Sequence, residues 1–243
     1  MARYSGCWVG FKSSSDTIES SSSFEIDPVG LEIKIPDSYP IPEGGFHMRW
    51  PDLPLEQESR LHRHRLYALL EYVRQNNINR QDWQAPDARL GIVTCGKSYL
   101  DVREALDMLG IDEDNAPALG LRLLKIGMTW PLEPAIIRDF AEGLDEILVI
   151  EEKRQIIEYQ IKEQLYHAPV DSRPRVVGKF DEAGEWVHEP QAGILLSPNG
   201  EITPTQIAHV LAMRMAKVQG ADSLPASVLN YMVLCRAGEG FLK

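Results

Sequence analysis

Between residues 90 and 178 the sequence alternates short apolar runs with longer amphipathic stretches. The runs Leu90–Thr94, Leu121–Ile126, Glu146–Ile150 and Arg175–Gly178 have the length and composition of buried strands. The stretches between them repeat apolar residues three and four positions apart, as one buried face of a helix requires. Strands joined by such helices lie parallel, and both faces of their sheet are covered. The alternation therefore predicts an α/β fold of three layers, a mostly parallel sheet with helices on both faces.

The regions on either side of this alternation differ in composition. Residues 1–27 begin with an apolar, aromatic segment and continue into a serine-rich one, and residues 28–54 carry six prolines. Helical spacing of leucines predicts a helix over Leu55–Asn76. Thr203-Pro204 predicts the start of a last helix, with Thr203 as its N-cap. We therefore predict a connector with a helix over residues 28–85, an α/β domain over residues 86–219 and a separate tail over residues 220–243.

Charge and cysteine content exclude several classes of protein. The chain has 243 residues and a formal net charge of −11. Nucleic acids and anionic membranes bind basic surfaces, so we expect neither as a partner. Cys7, Cys95 and Cys235 are odd in number and lie far apart, which does not suggest a disulfide framework. No C-x-x-C pair indicates a zinc site or an iron–sulfur cluster. No apolar run reaches the roughly 18 residues of a membrane helix. We expect a cytoplasmic protein with no metal site of its own.

Residues Gly91–Ser98 match the phosphate-loop pattern G-x-x-x-x-G-K-S. In a phosphate loop the strand precedes the first glycine, and the four following residues wrap the anion. Here the strand lies inside the motif, because β-branched Ile92 and Val93 favour a sheet. We interpret Gly96 as a tight turn between strand and helix, with Gly96, Lys97 and Ser98 as loop or interface candidates. A nucleotide-binding protein that uses Gly91–Ser98 remains the alternative function.

A charged segment, Glu151–Arg154, follows the third predicted strand. Ligand-binding and interface residues of open α/β sheets gather at the carboxyl ends of the strands, which makes Glu151 and Glu152 interface candidates. The same segment also fits a solvated charge run at the start of a helix, where the helix dipole favours acidic residues. The sequence leaves both interpretations open.

Several blocks together resemble one family. Gly91–Leu106, Leu121–Pro134 and Phe140–Arg154 are similar to the transketolase C-terminal-like domain of indolepyruvate ferredoxin oxidoreductases, members of the 2-oxoacid:ferredoxin oxidoreductase family. Arg3–Lys12 resembles the last helix of the pyrimidine-binding domain that precedes it, so residues 1–27 are expected to end that domain. Pro174–Asp181 fits the large bacterial version. The resemblance covers about residues 2 to 218, and the tail from about residue 220 departs from it.

The resemblance implies an enzyme that oxidatively decarboxylates an aryl 2-oxoacid to an acyl-CoA. Its cofactors would be thiamine diphosphate, Mg²⁺ and iron–sulfur clusters, and ferredoxin would accept the electrons. The family's Gly-Asp-Gly sequence for the pyrophosphate and Mg²⁺ is absent here, as are the cluster cysteines. No catalytic, cofactor-binding or metal residue is therefore transferred onto this chain.

These absences predict a role without chemistry of its own. The chain is expected to be a fragment that acts as a structural, interface-forming domain, inactive alone. Its partners would be the remaining domains of the parent enzyme, in a homo-oligomer. A free-standing interaction module is a further alternative.

Overall fold

A computed structural model describes residues 1–13, 18–21, 23, 25, 30, 32–186 and 193–238, with the backbone alone for 233–238. The chain divides into two compact units, Met1–Ile78 and Asn79–Lys243. The predicted domain boundary at residue 27 lies outside the described residues. The boundaries at residues 85 and 219 stay predictions.

The second unit contains a five-stranded sheet with the strand order β1-β3-β2-β4-β5. Its strands are β1 Arg80–Trp83, β2 Leu90–Cys95, β3 Leu121–Ile126, β4 Glu146–Ile150 and β5 Arg175–Val177. β2 is central and pairs in parallel with β3 on one side and β4 on the other, where Ile92 lies opposite Leu123 and Leu148. β5 pairs in parallel with β4. The predicted α/β class and the mostly parallel sheet are confirmed.

Helices cover both faces of the sheet. In this unit they are α4 Lys97–Met108, α5 Pro134–Ala141, α6 Ile157–Leu165, α7 Pro204–Gln219 and α8 Ala226–Gly238. One buried cluster joins Ile92 and Leu148 of the sheet to α4, α7 and α8. A second joins Val93 and Val149, which point to the opposite face, to α5 and α6. Alternate residues of each strand thus contribute to two cores, one on each face of the sheet. The sheet and the helices on its two faces form the predicted three layers.

Two elements of this unit were not expected. β1 is antiparallel to β3, and its sequence Arg-Gln-Asp-Trp lacks the apolar run by which a buried strand is recognised. Its Trp83 is nevertheless buried in the first core. Helix α8 lies in the region predicted as a tail, and Val228 at its start is fully buried against the same core.

Gly91 lies where two elements approach each other most closely. It is fully buried in β2, facing α5. A Cβ at this position would lie 2.5 Å from Leu144 Cδ1 and 2.6 Å from Phe140 Cε1. Real Cβ atoms do not approach other atoms so closely, so any larger residue would push the helix away from the sheet. The first glycine of the motif Gly91–Ser98 is therefore required by packing.

A buried ion-pair network holds α7 against the start of β4. Arg214 lies between two acids, with Nε 2.7 Å from Glu146 Oε1 and Nη2 2.6 Å from Glu182 Oε1. Lys217 Nζ lies 2.5 Å from the same oxygen of Glu182. Glu146 is fully buried and Arg214 nearly so, so each charge depends on its partner. Hydrogen bonds from Arg214, and then from Lys217, lower the pKa of Glu182 from 4.5 to about 2.

The first unit is helical. Its helices are α1 Ala2–Ser5, α2 Pro54–Arg60 and α3 Leu66–Gln75, with a π-helical turn Leu61–Arg65 between the last two. The Tyr4 ring packs 5.6 Å from that of Phe46 and 5.7 Å from that of Tyr72. Trp8 and Phe11 are 92% exposed. Across the described parts of both units, no helix has the length and apolarity to cross a membrane.

Replacing Gly91 with alanine tests the close approach of β2 and α5. We expect Gly91→Ala to lower the free energy of unfolding by about 1 to 3 kcal/mol, because the added methyl overpacks a tight core. Urea denaturation followed by circular dichroism measures the change. Gly10→Ala is the matched control, since a Cβ there meets nothing within 4 Å. An equally stable Gly91→Ala variant would contradict the packing described here.

The lowered pKa of Glu182 predicts how stability depends on pH. A carboxyl whose pKa is lower in the folded state stabilises the fold above its unfolded pKa, and this contribution is lost as pH falls. We expect the wild type to lose stability between about pH 4.5 and pH 2 more steeply than Glu182→Gln. Near neutral pH, Glu182→Gln should be less stable by about 1 to 3 kcal/mol.

The control for this experiment is Glu104→Gln, which removes an exposed carboxyl of α4. Urea denaturation at a series of pH values measures all three proteins. Parallel pH profiles for the wild type and Glu182→Gln would show that Glu182 contributes nothing to the acid dependence.

Candidate functional site

Parallel strands bring the predicted site residues to one edge of the sheet. β2 ends at Cys95 and β4 ends at Ile150, and these two strands are neighbours. Gly96–Ser98, which lead from β2 into α4, and Glu151–Glu152 follow directly, so all five candidates lie at the carboxyl edge of the sheet, where α/β proteins place ligands.

Gly96 and Lys97 form the turn from β2 into α4. Gly96 is the N-cap residue and has φ 54° and ψ −134°, a conformation that side chains disfavour. Lys97 Nζ lies 3.0 Å from Asp101 Oδ2 and 2.6 Å from Glu201 Oε1. Burial alone would lower the pKa of Lys97, but hydrogen bonds to Glu201 and Asp101 outweigh it and raise the pKa. The lysine is thus a cation already neutralised by carboxylates of its own chain.

Ser98 lies beneath this turn. Its side chain is buried, and so is that of Thr94, near the end of β2. Among the described residues, neither hydroxyl oxygen has a hydrogen-bond partner. Both hydroxyls point into the protein rather than towards a ligand at the surface, so Ser98 belongs to the packing of the edge.

Glu151 caps helix α6. Its Oε2 accepts hydrogen bonds from the backbone N–H groups of Ile156 and Ile157, and its Oε1 accepts one from Glu158, each at 3.0 Å. The carboxyl is nearly fully buried, and this burial raises its pKa, although the three backbone hydrogen bonds act against the increase. Glu151 therefore satisfies the free donors at a helix start, a structural role.

A segment of residues 197–202, here called the strap, crosses the same edge. Its contacts include Lys97 to Glu201, Lys153 Nζ to Gly200 O at 2.6 Å, and Ile202 N to Glu152 Oε1 at 3.3 Å. Glu152 thus binds the backbone of the strap. Of the five predicted site residues, Lys97 and Glu152 therefore contact the strap, which is a piece of the chain itself.

Two further residues of this edge were missed by the sequence analysis. Lys179, just after β5, is fully buried, and its Nζ donates to Ser197 O of the strap at 3.3 Å. Burial lowers its pKa, opposed by the charges of Glu152 and Glu151. Burial, and then the same two carboxylates, raise the pKa of Cys95 to about 12. A lysine inside a short polar segment gives no sequence signal of burial.

The contacts at the carboxyl edge favour a structural role for these residues over a catalytic one. Lys97 and Glu152 bind the strap and Glu151 caps α6, so these side chains are occupied by contacts within the chain. Residues Leu90–Cys95 form a strand, and a strand cannot wrap an anion with four successive backbone amides. No observation at this edge supports the nucleotide-binding alternative.

Comparison with known proteins identifies the family. Residues 79–241 match the family described as "Indolepyruvate ferredoxin oxidoreductase middle domain", which is more than half of the chain. The matched range contains the whole sheet and the strap.

Curated relatives agree with this match. The chain is 31% identical over 116 residues to the indolepyruvate oxidoreductase subunit IorA of Pyrococcus abyssi, which is 47% of this chain and 17% of that protein. It is 28% identical over 160 residues to the IorA subunit of Methanothermobacter thermautotrophicus, which is 63% of this chain and 24% of that protein. The chain thus spans a quarter or less of the length of these relatives.

A solved structure of a 2-oxoglutarate:ferredoxin oxidoreductase from Magnetococcus marinus is also similar. The match has 18% identity and a TM-score of 0.42, and it covers 70% of this chain and 25% of that one. The family assignment rests on the sequence match over residues 79–241. The chain belongs to the indolepyruvate ferredoxin oxidoreductase middle-domain family.

Proposed function

We propose that this chain is a structural, interface-forming domain of a thiamine-diphosphate-dependent indolepyruvate:ferredoxin oxidoreductase. The parent enzyme would oxidatively decarboxylate aryl 2-oxoacids to acyl-CoA, and the domain would not run this reaction alone. The observation that carries the proposal is the family match together with a carboxyl edge closed by its own strap. A carboxyl edge that is closed by contacts within the chain is suited to a domain that supports its neighbours.

The cofactors of the parent enzyme would be held elsewhere. Among the described residues, no group of three His, Cys, Asp or Glu side chains could hold a metal ion. The donors present therefore do not fit Mg²⁺ or an iron–sulfur cluster, and we derive no step through either. We propose that thiamine diphosphate, Mg²⁺ and iron–sulfur clusters bind to other parts of a cytoplasmic parent enzyme.

The same proposal assigns the partners. They are the remaining domains of the parent oxidoreductase, a second copy of the chain in a homo-oligomer, and ferredoxin as electron acceptor of the whole enzyme. At the carboxyl edge, Gly96 and Lys97 are exposed and can contact a neighbouring domain. We propose that Ser98, Glu151 and Glu152 support that contact from inside the domain, because they are buried or accept hydrogen bonds from backbone N–H groups.

The first test measures the chain alone. We expect purified protein, supplied with thiamine diphosphate, Mg²⁺, coenzyme A and indolepyruvate, to show no substrate-dependent reduction of methyl viologen. The reason is that the chain lacks the family's Gly-Asp-Gly sequence for the pyrophosphate and Mg²⁺ and the cysteines of an iron–sulfur cluster. Absorbance of reduced viologen measures the rate, and robust turnover by the isolated chain would overturn the proposal.

The second test asks whether the domain supports an active parent. Residues 79–241 would replace the matching segment in the Methanothermobacter thermautotrophicus relative, expressed with the rest of that enzyme. We expect indolepyruvate-dependent viologen reduction within about tenfold of the unaltered enzyme, because the shared fold supplies the same support. The same chimera with Ile92→Asp, which buries a charge in the central strand, is the inactive control. A folded, assembled but inactive chimera would contradict the proposed role.

A further inference from the structure

Four large apolar side chains are exposed where the sheet ends, on the side that α6 covers. They are Trp130, Ile156, Tyr159 and Trp186, with exposed fractions of 65%, 56%, 46% and 82%. Trp130 follows β3, Ile156 and Tyr159 lie at the start of α6 after β4, and Trp186 follows β5. We call these four residues the aromatic patch.

Hydrogen bonds of one side chain join the first half of the patch. Gln160 Nε2 donates to the carbonyl oxygens of Thr129 at 2.8 Å and Ile156 at 3.0 Å, and Gln160 Oε1 accepts from Leu132 N at 2.8 Å. Gln160 thus binds the loop after β3 on both sides of Trp130, and it binds the first turn of α6 as well. Trp130 and Ile156 are therefore held close to each other.

A carboxylate joins the second half. Glu185 accepts hydrogen bonds from Arg154 Nη1 at 2.6 Å, from Arg154 Nη2 at 2.8 Å and from the Tyr159 hydroxyl at 3.1 Å. The Arg154 guanidinium lies 5.9 Å from the centre of the Trp186 ring. Arg154 and Glu185 thus neutralise each other and hold Trp186 beside Tyr159. A surface ordered in advance loses little conformational freedom when it binds a partner.

The size and composition of the patch are those of a protein interface. Exposed apolar residues scattered singly are normal on a monomer, but a contiguous group of them marks an interaction site. These four side chains present roughly 600 Å² of surface, against about 800 Å² that each partner buries in a stable interface. Tryptophan, tyrosine and arginine are also the residues that dominate binding energy at interface centres. The patch therefore suits the centre of a contact with another protein surface.

We propose that the aromatic patch binds the same patch of a second copy of this chain, in a two-fold symmetric dimer. Each surface meets itself in such a contact, so the patch must be complementary to itself. An apolar surface whose one arginine carries its own counter-ion meets this condition, because no unpaired charge faces a like charge. Each copy has a net charge of −11, so two copies approach at the lowest electrostatic cost through a neutral surface.

This inference rests on the proposed function, which includes a second copy among the partners, and it names the surface. The test is sedimentation of the purified chain over about 1 to 200 μM. We expect a dimer with a Kd of about 1 to 100 μM, because the patch is smaller than a standard interface.

Variants of the patch should weaken the dimer. Ile156→Glu places like charges in the same symmetric contact, and we expect a Kd at least about tenfold higher. Ile156 is the N-cap of α6, where the helix dipole favours a carboxylate, so the variant should fold. Trp186→Ala removes an exposed ring and should also raise the Kd about tenfold.

Matched controls change the same kinds of residue outside the patch. Leu100→Glu places a carboxylate at a 67% exposed position of α4, the helix on the other face of the sheet. Trp8→Ala removes a ring that is 92% exposed. Both variants should leave the Kd unchanged.

Tryptophan fluorescence locates the contact independently. On dilution of the wild type through its Kd, emission should shift to longer wavelength, because Trp130 and Trp186 become exposed to water. The double variant Trp130→Phe, Trp186→Phe keeps aromatic rings at both positions. It should dimerise with a Kd within about tenfold of the wild type, but without the spectral shift.

A wild type that stays monomeric at about 200 μM would overturn the inference. A dimer that Ile156→Glu and Trp186→Ala leave unchanged would place the contact elsewhere and overturn it too. A monomeric chain whose Ile156→Glu substitution disrupts assembly of the Methanothermobacter chimera would assign the patch to another domain instead of a second copy. The proposed function is tested separately, because an active chimera supports it even when the isolated chain is monomeric.

Discussion

The central strand β2 is the constraint on which the second unit depends. It is hydrogen-bonded in parallel to β3 and β4 and buried on both faces, so its residues serve two cores at once. Gly91 sets the distance to α5, because Phe140 and Leu144 occupy the space where a side chain would lie. The turn at Gly96 then follows from the end of the strand. A pattern that resembles a phosphate loop is thus explained by sheet packing.

The carboxyl edge follows from this arrangement. Because β2 and β4 are neighbours, their following loops meet, and the strap crosses both. Lys97, Glu152 and Glu151 each bind a carboxylate or a backbone group of the same chain. The carboxyl edge is therefore closed by the strap, whereas at the opposite edge Glu146 pairs with Arg214 and Arg175.

Much of this could be predicted from the sequence, and the exceptions have physical reasons. Period and composition identified β2, β3 and β4, because strands buried on both faces have continuous apolar runs. They missed β1, whose polar residues pair at an edge of the sheet where burial is partial. Spacing placed Glu151 at the end of a strand, but it could not choose between an interface residue and a helix cap. That choice depends on the backbone donors of Ile156–Glu158, which only the fold brings within reach.

Native-state hydrogen exchange distinguishes a central strand at Leu90–Cys95 from an anion-binding loop. Amide groups in the middle of a doubly paired strand exchange only when the whole domain unfolds, whereas those of an anion-binding loop exchange through local opening and are protected by the ligand. We expect the Ile92 and Val93 amides to exchange with the free energy of global unfolding, with or without Mg²⁺ and ATP. Fast exchange at these two residues that nucleotide slows would contradict it.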